Sequence, residues 1–339
     1  MRLRGLRGRW LAGLAGLALC TAVAGCGAGN DQGSDAGAGP SKLVIGITGL
    51  TTNAPLYIAQ NKGWFAEAGL EVEIKIAGGA AATVPSLVNG ETQIGAGNLI
   101  SIIQSTEQSI PLRAVAAINI AAKSLEDRAH VTSAILVPQD SPIQSAADLG
   151  GKSIAVNTLN NLGDLTIKTV AEREGVDPNS LRFTELTFPD MIPAAQAGRI
   201  DAIWEVEPFV SSAVAAGMRP VSYNFVGTAP EFPLGVYFAT REFAEENPEV
   251  LAKFKEVIDR ATEYAMTDEE AVRQVVPTFT RISDQAAAEM ALPQLTTTLD
   301  PAKVQMLADL MRRHGQAEEI PDLNEIFGSV YGPPAAGGE

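Results

Sequence analysis

The chain has 339 residues, of which 46% are hydrophobic and 19% charged, with a formal net charge of −15. Phosphate binding needs clustered lysine and arginine, so nucleic acid is excluded as a partner. An anionic membrane surface would also repel such a body, and a chain of this length favours two domains over one.

Taken from the start, Arg2, Arg4, Arg7 and Arg9 make a charged opening, and Trp10 to Val23 follow as an apolar run too short to span a membrane comfortably. The run ends in Val23-Ala24-Gly25-Cys26, which resembles the lipobox of bacterial lipoproteins. The resemblance implies that residues 1–25 are a signal peptide and that Cys26 carries a diacylglyceryl group after cleavage. The protein would then be extracytoplasmic and anchored to the bacterial cell membrane through lipid alone. Loss of the four arginines takes the net charge to about −19. The other cysteine, Cys20, lies in the removed segment, so no disulfide, zinc site or catalytic thiol is expected in the body. No metal and no other cofactor is expected either. Residues 26–41 have almost no bulky apolar side chain and read as a flexible tether, spanning roughly 20 Å if Gly-rich and unstructured.

From Leu43 onward, short β-branched runs alternate with longer helical stretches, the pattern of an α/β architecture with a mainly parallel sheet. Strands are predicted at 43–48, 70–76, 93–96, 112–120 and 133–137, with helices at 55–68 and 80–89, the latter stopping at Gly90. A second unit opens at 145–151 and repeats the outline. Its strands fall at 152–157, 181–187, 200–204 and 220–223, and its helices at 161–174, 190–197 and 207–216. A strand at 234–240 follows. The rest reads as helix, at 248–266, 269–275, 284–291 and 301–314, before a Pro/Gly/Ala-rich tail at 331–339 expected to be disordered. Helices without strands of their own must pack on an earlier sheet. Lobe 1 is therefore predicted from 42–137 plus 234–330, lobe 2 from 138–225, and the return crossover at 226–233. Two crossing strands would make a hinge.

The run Asn53-Ala54-Pro55-Leu56-Tyr57-Ile58-Ala59-Gln60-Asn61-Lys62-Gly63-Trp64-Phe65, continuing to Gly69-Leu70, resembles the opening of solute-binding proteins for nitrate, sulfonate, taurine and thiamine-pyrimidine importers. Three more stretches match in the same order: Asp148 to Val156, Ala197-Gly198-Arg199-Ile200-Asp201-Ala202 running to Glu207-Pro208, and Arg241-Glu242-Phe243 with Asn247-Pro248-Glu249. The resemblance covers Leu43 to about Met266. It implies a type II periplasmic-binding-protein fold, two α/β lobes joined by a two-strand hinge. It also implies a monomer that captures a small-molecule solute between the lobes and delivers it to ABC permease subunits.

In open α/β sheets, ligands gather at the carboxyl ends of strands, beside the N-termini of the following helices. Lobe 1 offers Thr51, Thr52 and Asn53, then Gly79 and Ala80, then Asn98. Lobe 2 offers Asn157, Asn160 and Asn161, then Asp190, then Trp204 and Glu205. Asp164, three residues after Asn161, suits a helix cap, and Trp64 with Phe65 suits a core anchor. These loops hold no lysine or arginine but include Asp190, Glu205 and Glu207, which favours a neutral or amine-bearing heterocycle or amide. Sulfonate, nitrate or carboxylate remains open, because helix N-termini hold anions without a cation.

Two other readings stand beside this one. A sensor subunit presenting its solute to a membrane receptor would need the same body. A thiamine-pyrimidine synthase would need a sacrificial histidine and a cysteine-rich motif, whereas the two histidines here, His130 and His314, fall outside the loops. No catalytic residue is assigned.

Overall fold

A computed structural model describes residues 40–280 and 282–332. The expected signal peptide, Cys26 and most of the tether and tail lie outside the described residues. None of the described helices is long and apolar enough to cross a membrane.

In chain order, the first lobe is built from β1 (Ser41–Ile47), α1 (Ala54–Asn61), α2 (Trp64–Glu67), β2 (Leu70–Ile76), α3 (Ala80–Val88), β3 (Ile94–Asn98), α4 (Leu99–Glu107) and β4 (Leu112–Ile120). The second comprises β5 (Ser133–Pro138), β6 (Ser153–Val156), α5 (Leu162–Arg173), β7 (Arg182–Glu185), α6 (Phe188–Gln196), β8 (Ala202–Val206), α7 (Phe209–Ala215) and β9 (Met218–Ser222). The chain returns through α8 (Asn224–Thr228) to β10 (Pro233–Thr240). It ends with α9 (Arg241–Glu246), α10 (Pro248–Thr267), α11 (Glu269–Phe279), α12 (Asp284–Glu289), β11 (Gln294–Leu295), α13 (Pro301–Arg313) and α14 (Leu323–Phe327).

Each lobe has one sheet. The six-stranded sheet runs β11-β4-β10-β3-β1-β2 and the five-stranded sheet β7-β6-β8-β5-β9. β1 lies parallel between β2 and β3, and its Leu43 to Ile47 are buried on both faces, as a central parallel strand requires. β2, at the edge, alternates instead. β10 pairs antiparallel with both β3 and β4, so the strand that returns from the second lobe is wedged into the middle of the first. α10 buries Leu251, Phe254, Val257, Ile258, Ala261 and Ala265, a stripe at helical spacing that covers this sheet.

The structure departs from the sequence expectation at several points. The helix expected over 55–68 is split at Gly63, whose φ of 74° ends α1 and starts α2. Ser133 to Val137, expected in lobe 1, pairs with β8 and β9 and belongs to the second sheet. The crossing therefore falls at 121–132, ahead of the boundary expected between 137 and 138. Ala121 N–H donates to the Phe232 carbonyl (2.8 Å) and Glu231 N–H to that of Ala122 (3.2 Å), so the outgoing and returning passes pair with each other. The C-terminal helices do own a strand, β11, paired with β4 at Ile120 and Asn119. Residues 301–330 pack on the first sheet, where Ser329 Oγ donates to the Ala114 carbonyl (2.6 Å), and also reach the second lobe at the end of α13. Arg313 bonds Glu172 on α5 at 2.8 Å, and His314 lies 3.3 Å from the Thr169 hydroxyl. Tyr331 and Gly332, placed in the expected disordered tail, are held by backbone bonds to Gly328 and Leu299.

Candidate functional site

Between the lobes lies a cleft of about 100 Å³. One enclosed water takes roughly 10–15 Å³ on the same measure, so the space suits a small molecule and not a peptide. Loop ends and helix starts position its walls. The first lobe contributes 48–53, Gly79 and Ala80 at the start of α3, Gly97 and Asn98 closing β3, Asn119 near the end of β4, and Gly235 of β10. The second contributes Asn157, Thr158, Asn161, Leu162, Phe188, Trp204, Glu207 and Phe225.

Of the residues singled out from sequence, Thr51, Thr52, Asn53, Gly79, Ala80, Asn98, Asn157, Asn161 and Trp204 are brought together around this cleft. Three others are not. Glu205 follows Trp204 in a strand, where successive side chains point to opposite faces, and it is fully buried with neither carboxylate oxygen partnered. Asp190 is exposed and accepts a 2.5 Å bond from the Thr187 hydroxyl. Asn160 takes up a left-handed φ of 55° and turns its carbonyl to the Gln104 amide at 2.9 Å.

The lobes touch directly across the cleft. Asn98 Nδ2 donates to Asn161 Oδ1 (2.8 Å), and Asn161 Nδ2 donates to Ser101 Oγ (3.0 Å). The Thr51 backbone N–H and hydroxyl both reach the Glu207 carbonyl at 3.4 Å. Behind the loop, Gln316 Nε2 donates to the Asn161 carbonyl and Gln104 Nε2 to that of Gln316, each at 3.0 Å. Asp164 accepts from the N–H groups of Asn160 (2.6 Å) and Asn161 (3.0 Å), and so fixes the start of α5. Burial outweighs those bonds and raises its pKa.

One wall is aromatic. Trp204 lies 5.7 Å from Phe188 and 5.9 Å from Phe225 between ring centres, and its indole N–H donates to Ser133 Oγ at 2.8 Å. Ser133 Oγ donates in turn to Asn224 Oδ1, and Asn224 Nδ2 to Thr166 Oγ1. Gly163 makes room for the ring, since a Cβ there would lie 2.6 Å from a Trp204 carbon.

The cleft is electrically quiet. Among the described residues no lysine or arginine lines it, and the one acid that does, Glu207, accepts from the Ser211 N–H (3.1 Å) and hydroxyl (2.9 Å) at the start of α7. Burial lifts the Glu207 pKa to about 7 in spite of those bonds. The start of α3 is left without a side-chain cap, because Gly79 stands at that position, and Gly79 and Ala80 line the cleft.

Sequence reasoning missed Asn119. It is 5% exposed, lines the cleft, and its amide forms no hydrogen bond among the described residues. The signal was present as a lone polar residue near the carboxyl end of the apolar strand Leu112–Ile120. The helix α4 was missed too, together with Ser101 in its first turn. It begins directly off β3 with Asn98 accepting from Ser101 N–H (3.0 Å).

Two α/β lobes linked by paired chain passes, with a small polar cleft between them, define the periplasmic-binding-protein fold. Residues 51–271, more than half of the chain, match the family described as NMT1/THI5 like, and the chain belongs to that family. It is 26% identical over 216 residues to the taurine-binding periplasmic protein of Escherichia coli, a match covering 63% of this chain and 64% of that one. It thus spans less than two thirds of that relative's length. It is 23% identical to the 4-amino-5-hydroxymethyl-2-methylpyrimidine phosphate synthase of Saccharomyces cerevisiae, with 63% of each chain covered. Among solved structures, the alkanesulfonate-binding protein of Xanthomonas axonopodis pv. citri, bound to MOPS, superposes with a TM-score of 0.72. That likeness covers 86% of this chain and 99% of the other at 16% identity.

Proposed function

We propose that this protein is an extracytoplasmic solute-binding protein that captures a small polar molecule between its lobes and delivers it to the permease of an ABC importer. The observation that carries the reading is a cleft of molecular size lined from both lobes, with hydrogen bonds that exist only when the lobes are together. A ligand touching both walls stabilises that closed form, and a permease can recognise it. Binding, and not catalysis, is the activity we assign. One relative is an enzyme, but among the described residues no cysteine or histidine lines this cleft.

The solute we favour is uncharged. Asp190 and Glu205 stand away from the cleft and Glu207 is engaged by Ser211, so the case for an amine loses its counter-ions while the case for a neutral heterocycle or amide keeps its donors and acceptors. A sulfonate is the second reading. It is supported by the uncapped start of α3 and by relatives described as taurine- and alkanesulfonate-binding. Thermal shift and calorimetry of the purified protein against neutral amides, heterocycles, amines and sulfonates test the choice. Melting temperatures raised by sulfonates or carboxylates alone would remove the neutral reading.

Cys26 completes the proposal as a lipid anchor holding a monomeric body beside its importer. Cys26→Ser is expected to release the protein from the membrane fraction of expressing cells. Unchanged membrane retention counts against the anchor.

A further inference from the structure

Most polar side chains deep in the cleft are engaged with one another, although Asn53 leaves its Oδ1 unpartnered. Asn98, Ser101 and Asn161 bond one another, and Glu207 is held by Ser211. Asn119 stands out because neither atom of its amide forms a hydrogen bond among the described residues. Its backbone is fixed on both sides, against Gly235 of β10 and Leu295 of β11. The register of β10 shifts at Gly235, an irregularity of the kind that re-aims a side chain. Gly235 is also what leaves room for the amide, since a Cβ there would stand 2.7 Å from Asn119 Oδ1. A carboxamide offers an acceptor oxygen and a donor nitrogen side by side. The group that satisfies both at once is a flat edge with a donor next to an acceptor, and the aromatic wall of Trp204 and Phe188 suits a flat body behind that edge.

We propose that Asn119 is the specificity-determining residue of the cleft, reading a paired donor–acceptor edge on a planar, uncharged solute such as a carboxamide or an amino-substituted nitrogen heterocycle. The proposal rests on the solute-binding reading and narrows it. Affinity for such a solute is set by an amide that the protein leaves unsatisfied, so its removal weakens binding without harming the fold.

The test uses the full chain as wild type, Asn119→Ala and Gly235→Ala, with cytosine and nicotinamide as edge-bearing probes and taurine and methanesulfonate as probes lacking such an edge. Calorimetry is expected to show wild-type binding of at least one edge-bearing probe and a loss of about tenfold or more in Asn119→Ala. Gly235→Ala should lose affinity for the same probe by displacing the amide. The melting temperature of ligand-free Asn119→Ala is expected to hold or rise, which a structural asparagine would not allow. Undiminished binding of the edge-bearing probe in Asn119→Ala overturns the proposal and leaves solute binding intact. Wild-type binding of taurine or methanesulfonate alone overturns it as well, again with solute binding intact. Binding of none of the four overturns it and counts against the solute-binding reading too.

Discussion

Glu205 and Glu207 sit two residues apart on the same strand end and are both buried, yet they do different things. Burial without any hydrogen bond holds the Glu205 pKa well above the ordinary carboxyl range, and burial lifts Glu207 to about 7 from 4.5. Both folded values exceed the unfolded ones, so the folded chain binds these protons more tightly. Their contribution to stability is complete below about 4.5 and fades as pH climbs through about 7 for Glu207 and beyond for Glu205. The melting temperature should therefore fall between pH 5 and pH 8, and calorimetric scans of Glu205→Gln should show a shallower fall. A slope identical to wild type would mean that Glu205 is not the buried acid described. The same two positions separate wall from support: Trp204→Ala is expected to weaken solute binding about tenfold or more, whereas Glu205→Gln should leave the affinity unchanged.

At the scale of elements, the aromatic wall depends on how closely α5 approaches β8. Gly163→Ala would drive a methyl into the Trp204 ring. Overpacking of this kind costs about 1–3 kcal/mol, and the displaced indole should shift the tryptophan emission. An unchanged spectrum and melting curve would show the contact to be slack. Some elements were plain in the sequence because local chemistry bounds them: Leu70–Ile76 starts after a left-handed Gly69, and Leu112–Ile120 follows Pro111. α4 was not, since β3 ends at Asn98 and α4 starts at Leu99 with no loop between them, and Asn98, which caps the helix, reads equally well as a ligand loop. Membership of β5 in the second sheet was equally hidden. Its partners β8 and β9 lie more than sixty residues away in sequence, and an apolar strand suits either sheet. Loop ends from different strands could be foreseen as neighbours by the rule of carboxyl ends. Which single side chains turn inward could not, because alternation placed Trp204 in the cleft and Glu205 behind it.

For the whole molecule, closure is governed from outside the cleft as well as within it. Gln316, beyond α13, and Gln104, on α4, grip the carbonyls of Asn161 and Asn160 without lining the ligand space. Such a bond is worth about 0.5–1.5 kcal/mol net. Gln316→Ala should then weaken solute binding by a factor of roughly 2–12 and enlarge the ligand-free radius of gyration in small-angle scattering. Affinity equal to wild type would show that this grip does not bias closure. The absence of a free charge in the cleft has a further, kinetic consequence. The chain carries a net −15, and among the described residues no lysine or arginine lines the cleft to offset it. A neutral solute feels no long-range pull or push, so its association rate should be almost indifferent to ionic strength. An anionic one meets repulsion and arrives faster as salt is added.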